Sequence, residues 1–233
     1  MNVSVLLWDI DGTLLSTARA GLFALEDATS EVAGRPVSLQ HLKTSGLTDH
    51  QIGRMILQEL ELDASEAAVD RLIRRYGALL PDALPRRQGR VLPNVREVLA
   101  HIKHERPDVR SLLLTGNTAE GARAKLGHYG LLEFFEDGAY SCDCGERSEI
   151  AVRAAATATA IAPVPAERMF VIGDTPHDVT CSRAIGARTV GVATGEYTEA
   201  QLRDAGAWLT FAELPGPRAF LEALGMGAPA QGN

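Results

Sequence analysis

Near its start the chain reads Val5-Leu6-Leu7-Trp8-Asp9-Ile10-Asp11-Gly12-Thr13. A short run rich in valine and leucine predicts a strand buried inside a parallel sheet, and the Gly-Thr pair after it predicts a sharp turn out of that sheet. Open α/β sheets bind ligands outside the carboxyl ends of their strands. Asp9 and Asp11 are therefore expected at the ligand-binding edge of the sheet.

The spacing of these two acids is as informative as their position. Residues two apart on a strand project to the same side, so Asp9 and Asp11 are predicted to lie close together. No Lys or Arg is among their immediate neighbours in the sequence. Crowded carboxylates raise the free energy unless a cation or a shared proton relieves their repulsion. The motif therefore indicates that either a bound cation or a shared proton accompanies the two carboxylates.

Length, charge and composition exclude several classes of protein. The chain has 233 residues, of which 45% are hydrophobic, and a formal net charge of −7. It can bury a sizeable core, and it lacks the basic surface that is typical of a nucleic-acid-binding protein. The one short basic stretch, residues 86–90, is interpreted as a solvated linker. No apolar run approaches the ~20 residues that span a bilayer, so we expect no membrane partner.

The cellular location is predicted from the same features. Asp9 and Asp11 interrupt the first apolar run and no basic segment precedes it, so we expect no signal peptide. Cys142, Cys144 and Cys181 are too few for a disulfide framework, and nothing near the Cys-x-Cys pair completes a metal site. We therefore predict a cytoplasmic protein with reduced thiols.

Strand and helix patterns alternate along most of the chain, which predicts an α/β fold with a parallel sheet. Strands are predicted over about residues 3–9, 109–114, 138–141, 169–173, 189–192 and 208–211. Helices are predicted over about residues 94–104, 118–129, 149–162 and 178–185.

Residues 17–87 break this alternation. They carry helical patterns over about 17–32, 47–60 and 64–80, and no convincing strand. We predict that this tract is a helical cap domain inserted over the exit of the first strand. Residues 1–16 and 88–233 would then form the core domain.

A second polar segment, Thr115-Gly116-Asn117-Thr118, follows the predicted strand 109–114. Thr115 offers a hydroxyl, and Gly116 lets the backbone approach a ligand closely. Asn117 is predicted to cap the next helix, with Glu120 completing a capping box. Unpaired N–H groups at a helix start attract anions, most often phosphate. An ordinary helix cap is the alternative, and the location at a strand end favours binding.

A third segment, Gly173-Asp174-Thr175-Pro176-His177-Asp178, follows the predicted strand 169–173. Asp174 ends its strand as Asp9 does, and Asp178 reaches the same point if the chain turns into a helix. Alone, this pattern could be loop solvation or helix capping. Together with Asp9 and Asp11 it brings four carboxylates to one place, where a divalent cation would offset their charge. Oxygen ligands favour Mg²⁺ over Zn²⁺.

Basic partners are also expected, because a phosphate would add negative charge. Lys125 lies on the helix that Asn117 is predicted to cap, and Arg147 lies in the polar loop 143–147. Either side chain could reach the site. The alternative for each is an ordinary surface charge.

The three ordered segments resemble the motif set of the haloacid dehalogenase superfamily, and most closely that of its phosphoglycolate-phosphatase-like hydrolases. The motifs are Asp9-x-Asp11-Gly-Thr, Thr115-Gly-Asn and Gly173-Asp174-x-x-x-Asp178. The resemblance covers almost the whole chain. It implies a Rossmannoid, doubly wound parallel sheet with a mobile helical cap, and Mg²⁺-dependent hydrolysis of a phosphomonoester of a small metabolite. It leaves the oligomeric state open.

The resemblance also implies roles for the acids. Asp9 would be the nucleophile that forms an aspartyl-phosphate. Asp11 would be the general acid and then the general base. The Mg²⁺ ligands would be the Asp9 carboxylate, the Asp11 main-chain carbonyl, Asp174, and Asp178 directly or through water.

The phosphate-binding set and the basic residue follow from the same resemblance. Thr115, the N–H of Gly116, Asn117 and Arg147 would bind phosphate. Many relatives carry Lys-Pro in the loop where this chain has Gly145-Glu146-Arg147-Ser148. Either Arg147 substitutes for that lysine or Lys125 takes its catalytic role, and we favour Lys125.

In the predicted cap, Ser45-Gly46-Leu47-Thr48-Asp49 resembles a substrate-facing loop of these hydrolases. Thr48 and Asp49 are candidates to contact the leaving group and to set specificity. A helix N-cap before Ile52 is the alternative.

Three other activities are weighed against a phosphatase. A dehalogenase would use only the first aspartate and no metal, so Asp11 and Asp174 argue against it. A phosphosugar mutase uses the same core and stays open. A non-catalytic phospholigand-binding module on this fold also stays open, because a fold alone does not establish an activity.

Overall fold

The computed structural model describes residues 3–142, 146–161 and 163–227. Its strands are β1 (Ser4–Trp8), β2 (Leu15–Ser16), β3 (Arg90–Val91), β4 (Val109–Leu114), β5 (Gly138–Ala139), β6 (Met169–Gly173), β7 (Arg188–Val192) and β8 (Leu209–Phe211). Six of them form a parallel sheet in the order β5-β4-β1-β6-β7-β8. The predicted α/β fold with a doubly wound parallel sheet is confirmed.

The described part of the chain contains nine α-helices. They are α1 (Ala20–Ala33), α2 (Asp49–Glu59), α3 (Glu66–Ala83), α4 (Val95–Glu105), α5 (Ala119–His128), α6 (Arg147–Ile161), α7 (Pro176–Ala184), α8 (Glu199–Ala205) and α9 (Pro217–Ala223). The last two were not predicted, because seven residues are too few to show a clear helical period. The third helix was predicted to end before Pro81, yet α3 continues through it to Ala83.

Strand β1 lies in the middle of the sheet and contributes to the core on both faces. Leu6 and Trp8 are fully buried in one hydrophobic cluster, with residues of α4, α5 and α9. Val5 and Leu7 are fully buried in another, with residues of α6 and α7. This two-residue alternation covers the sheet with helices on both sides, as expected for a parallel sheet.

The three strands that precede the predicted motifs are neighbours. Strand β1 pairs with β4 on one side and with β6 on the other, and Trp8 is in register with Leu113 and Ile172. Their carboxyl ends therefore emerge side by side. This register explains why three segments far apart in the sequence can form one site.

The helical insert predicted from the sequence is present. Helices α1, α2 and α3 share a hydrophobic cluster of their own, which includes Leu25, Ile56, Leu72 and Leu80. Strands β2 and β3 form a short antiparallel ribbon just outside the insert, with Leu15 opposite Val91. The domain boundaries at residues 16/17 and 87/88 stay a prediction.

Two further observations concern the location prediction. Cys142 is disulfide-bonded, so the expectation of reduced thiols is wrong for this residue, whereas Cys181 is a free, buried cysteine. Cys144 lies outside the described residues. Among the helices that the structure describes, none combines the length and the apolarity needed to cross a bilayer.

Candidate active site

Three carboxylates lie together at the carboxyl ends of β1 and β6. Asp9, Asp174 and Asp178 are all buried, and each offers a ligand atom within 4.8 Å of the others. Asp174 Oδ1 also accepts a hydrogen bond of 3.2 Å from the Thr13 hydroxyl. We call Asp9, Asp174 and Asp178, together with Arg147, the floor of the site.

The guanidinium of Arg147 joins two of the floor carboxylates. Its Nη2 atom donates to Asp9 Oδ2 at 2.6 Å and to Asp178 Oδ1 at 2.7 Å. Asp178 Oδ2 accepts from the Thr175 N–H at 3.0 Å and from the Thr175 hydroxyl at 2.8 Å. Both oxygens of Asp178 are therefore engaged by protein groups, so Asp9 and Asp174 are the better placed direct metal ligands.

Burial and mutual repulsion dominate the electrostatics of the floor. Desolvation raises the pKa of Asp9, although the Arg147 guanidinium beside it opposes the rise. The pKa of Asp174 is raised well above its usual range by burial and then by the negative charges of Asp178 and Asp9. A cation near Asp174 would relieve this repulsion.

Asp11 lies in different surroundings, together with Lys125 and Asn117. The Lys125 Nζ atom donates to Asp11 Oδ2 and to Asn117 Oδ1, both at 2.6 Å. The Asn117 amide also donates to Asp11 Oδ2 at 2.9 Å. Burial alone would lower the pKa of Lys125, but Asp11, Tyr76 and Asp49 together raise it above its ordinary value. Lys125 thus carries a full positive charge beside Asp11.

The segment Thr115–Thr118, which we call the 115–118 turn, differs from its predicted form. Asn117 does not cap α5, because its side chain binds Lys125, Asp11 and Thr115 instead. The cap is Thr118, whose hydroxyl accepts a hydrogen bond of 3.1 Å from the Gly121 N–H. Asn117 was the wrong choice because the spacing pattern cannot show that a buried lysine competes for its amide.

The absence of a side chain at Gly116 leaves room for the backbone of the helical insert. A Cβ atom at this position would lie 2.6 Å from the Leu47 carbonyl oxygen and 3.1 Å from Thr48 Cα. The backbone of the helical insert therefore contacts the 115–118 turn directly. We predicted that Gly116 allows a ligand to approach, and the structure shows that it allows the insert to approach.

The two candidate specificity residues make contacts within the protein. Thr48 is fully buried and caps α2, accepting from the Gln51 N–H at 3.1 Å. The helix-cap alternative is therefore correct for Thr48. Asp49 Oδ2 accepts a hydrogen bond of 2.7 Å from the Thr118 N–H. Its contact with a leaving group stays a prediction.

A cavity of about 360 Å³ collects most of the predicted residues. Seven of them line it: Asp9, Asp11, Asp49, Gly116, Asn117, Lys125 and Asp174. Four predicted residues do not line it: Thr48, Thr115, Arg147 and Asp178. Of these, Arg147 donates a hydrogen bond to Asp9 and another to Asp178. The site is thus an acidic cleft between the sheet edge and the helical insert.

Sequence reasoning missed most of the apolar residues on the insert side of this cavity. They are Leu22, Leu25, Leu42, Ile52 and Tyr76, whereas Leu47 belongs to the segment 45–49 that resembles a substrate-facing loop. Tyr76 is buried, and desolvation raises the pKa of its hydroxyl, which the nearby Lys125 ammonium opposes. The helical members of this set, Leu22, Leu25, Ile52 and Tyr76, gave no such signal, because each also fits the apolar stripe of its helix.

Fold and site together define an α/β protein with an acid-lined cleft between its parallel sheet and its helical insert. The chain belongs to the haloacid dehalogenase-like hydrolase family, whose model matches residues 6–192. The resemblance of its motifs to this superfamily is thereby confirmed.

Two individual proteins that are similar to this chain have names that describe different activities. The tyrosine-protein kinase PtkA of Mycobacterium tuberculosis is 29% identical over 192 residues, which are 82% of this chain. The chain spans only 62% of the length of PtkA. The protein named "Probable phosphatase IndB", from Dickeya dadantii, is 27% identical over 206 residues, or 86% of each chain.

Solved structures match the fold. CbbY from Rhodobacter sphaeroides, in a complex with phosphate, has a TM-score of 0.74 at 17% identity and covers 91% of this chain and 94% of its own. A hydrolase from Pseudomonas syringae has a TM-score of 0.70 at 20% identity, covering 97% and 100%. At these identities the likeness shows a shared fold.

Proposed function

We propose that this protein is a phosphatase that hydrolyses a phosphomonoester of a small metabolite through an aspartyl-phosphate on Asp9. The observation that carries the proposal is the location of Asp9 and Asp11, which line one cleft but have different partners. Two-step phosphoryl transfer needs one carboxylate that stays a nucleophile and a second that moves protons. The family assignment and the likeness to IndB support this choice.

In the first step an Asp9 oxygen attacks phosphorus and the bond from phosphorus to the leaving oxygen breaks. Asp11, at the more open side of the cavity, gives its proton to that oxygen. In the second step Asp11 takes a proton from water, the water oxygen attacks phosphorus, and the bond to Asp9 breaks. Asp9 and Asp11 are then ready for another turnover, and inorganic phosphate is the product.

The floor fits a magnesium ion. Its donors are all carboxylate oxygens, which Mg²⁺ prefers, and the negative charges of Asp178 and Asp9 add to burial in raising the pKa of Asp174, so a bound cation would be favourable there. Asp9, Asp174 and the Asp11 main-chain carbonyl would hold the ion, with Asp178 supporting them through Arg147 or a water. When bound, the ion would offset the negative charge of the acids and of the phosphate.

Arg147 and Lys125 would have separate roles. Arg147 contacts Asp9, so it would orient the nucleophile, whereas the Gly116 N–H, on a residue that lines the cavity, would bind the phosphoryl oxygens. Lys125 contacts Asp11, so it would support proton transfer. We favoured Lys125 for the single basic role of the family, and the contacts instead suggest that both residues act.

The volume of the cleft bears on the kind of substrate. A cleft of about 360 Å³ has a volume that suits a small phosphorylated metabolite. Phosphoglycolate is suggested only by the resemblance to phosphoglycolate-phosphatase-like hydrolases. A cytoplasmic location and the absence of nucleic-acid and membrane partners belong to the same proposal.

The experiment is to measure phosphate release from p-nitrophenyl phosphate by the purified protein, with Mg²⁺ and with a chelator. We expect turnover with Mg²⁺ and its loss on chelation. No release from this ester or from a panel of phosphorylated metabolites would contradict the proposal and favour a binding module. Transfer of phosphate between sugar positions, without release, would favour a mutase.

A further inference from the structure

Asp49 of the helical insert makes two hydrogen bonds to the 115–118 turn. The Asp49 N–H donates to the Gly116 carbonyl oxygen at 2.8 Å, and Asp49 Oδ2 accepts from the Thr118 N–H at 2.7 Å. The two hydrogen bonds hold the turn on both sides of Asn117. Asp49 therefore touches the backbone that presents the predicted phosphate-binding groups.

The contacts of Asp49 fix its carboxyl group, although burial raises its pKa, a rise that the Lys125 ammonium and the Thr118 N–H oppose. Asp49 is 7% exposed, and it lies in the first turn of α2 and against the first turn of α5. Carboxylates are stabilised at helix N-termini by the unpaired N–H groups and the helix dipole. The reciprocal hydrogen bonds of Thr48 and Gln51, at 3.1 and 3.0 Å, fix the start of α2 and hence the position of Asp49.

Other contacts at the same place leave little freedom for the insert. The imidazole of His50 forms a hydrogen bond of 2.7 Å with the Ser141 hydroxyl, next to the 115–118 turn. The Ser141 N–H in turn donates to the Asn117 carbonyl oxygen at 2.8 Å. The absence of a side chain at Gly116 permits the backbone contact with Leu47 and Thr48. These contacts surround Asp49 and keep its carboxylate on Thr118.

We propose that Asp49 is a positioning residue, which holds the 115–118 turn in its phosphate-binding shape whenever the helical insert covers the cleft. This inference rests on the proposed function. It revises our prediction that Asp49 contacts the leaving group. A residue that recognises the leaving group affects substrates unequally, whereas a residue that shapes the phosphate site affects all of them alike.

The test compares Asp49→Ala with Asp49→Asn on acetyl phosphate, p-nitrophenyl phosphate and glucose 6-phosphate, which share only the phosphoryl group. We expect Asp49→Ala to lower kcat/KM by the same factor for each, on the order of 10- to 100-fold, because small displacements of a site are costly. Asp49→Asn keeps an oxygen that can accept the Thr118 N–H, so it should retain most activity. Asp63→Ala is the matched control.

Asp63 suits that control because it is also a carboxylate of the insert that accepts a backbone N–H, from Ser65 at 2.9 Å, but it is exposed and outside the cavity. Its removal should leave kcat/KM unchanged. Losses after Asp49→Ala that differ strongly among the three esters would overturn the proposal in favour of a leaving-group contact. Equal activity of Asp49→Ala and the native protein would overturn it as well.

A second measurement does not depend on turnover. Amide hydrogen exchange at Thr118 should be faster in Asp49→Ala, and the Kd for inorganic phosphate should rise, whereas Asp63→Ala changes neither. Unchanged exchange and phosphate binding would overturn the proposal even if the protein proved not to be a phosphatase. If Asp49→Ala does not fold, Asp49→Ser replaces it, because its hydroxyl is too short to reach Thr118.

Discussion

The two aspartates of the first motif are separated by one residue, yet they belong to two regions of the cleft that differ in exposure and in partners. The Asp9 side chain is 6% exposed and contacts the Arg147 guanidinium. The Asp11 side chain is 43% exposed and contacts the Lys125 ammonium. In the proposed function, this difference would let one short motif supply both a shielded nucleophile and an accessible proton carrier.

The largest expected effect comes from Asp9. Asp9→Asn removes the attacking oxygen's charge at nearly constant volume, so turnover should fall on the order of 10⁴-fold or more. Phosphate release under saturating Mg²⁺ measures this. The control is Asp27→Asn, which changes an exposed aspartate of α1.

A folded Asp9→Asn variant with near-native turnover would remove the nucleophile assignment. A circular dichroism melt is needed beside the assay, because Asp9 also pairs with Arg147. If the variant unfolds, trapping of the aspartyl-phosphate in the native protein identifies the nucleophile directly.

The two cations allow a sharper test of the same contrast, with smaller expected losses. Lys125→Ala should lower turnover on the order of 10²-fold with alkyl phosphates, a typical size for impaired proton transfer. It should matter much less with p-nitrophenyl phosphate, whose leaving group needs little protonation. Arg147→Ala should slow both kinds of ester alike, because Arg147 contacts Asp9 and not Asp11.

Arg147→Ala should also destabilise the protein, by about 3 kcal/mol, because it leaves buried carboxylates without their partner. Lys103→Ala and Arg75→Ala are suitable controls, since both side chains form exposed ion pairs elsewhere on the surface. If the loss of turnover in Lys125→Ala and in Arg147→Ala depended equally on the leaving group, Lys125 and Arg147 would not have the separate roles that we propose.

The sequence was sufficient to predict where the acids meet. Asp9 and Asp174 each follow a buried strand, and the carboxyl ends of parallel strands share one edge of the sheet. The prediction needed only the strand positions, because β1 and β6 then proved to be neighbours. The helical insert was predictable for a similar reason, since its residues keep a helical period over three segments.

The sequence was not sufficient to predict how side chains pair. Arg147 reaches Asp9 across 138 positions, and no local pattern shows which of several carboxylates a guanidinium will bind. Asn117 fits a helix cap by its spacing, but the buried Lys125 ammonium takes its amide oxygen. Tertiary contacts of this kind override local preferences at functional sites.

The smallest expected effect is a pH dependence of stability that has opposite signs in two regions. The pKa of Asp174 is raised by burial and by its acidic neighbours. Its contribution to stability is therefore full below about pH 3.9, the unfolded value, and is lost as the pH rises through the folded pKa. Without metal, Asp174→Asn should thus become more stable than the native protein as the pH rises.

Asp108 gives the matching control, because the hydrogen-bonded Arg106 guanidinium lowers its pKa. Its contribution is present above the unfolded pKa and is lost as the pH falls through the folded value, so Asp108→Asn should differ most from the native protein near neutral pH. Thermal melts between pH 2 and 8 with a chelator measure both, at about 2–4 °C for each 1 kcal/mol. The same sign for both variants would show that the floor carboxylates are not the repelling cluster that makes a magnesium ion favourable.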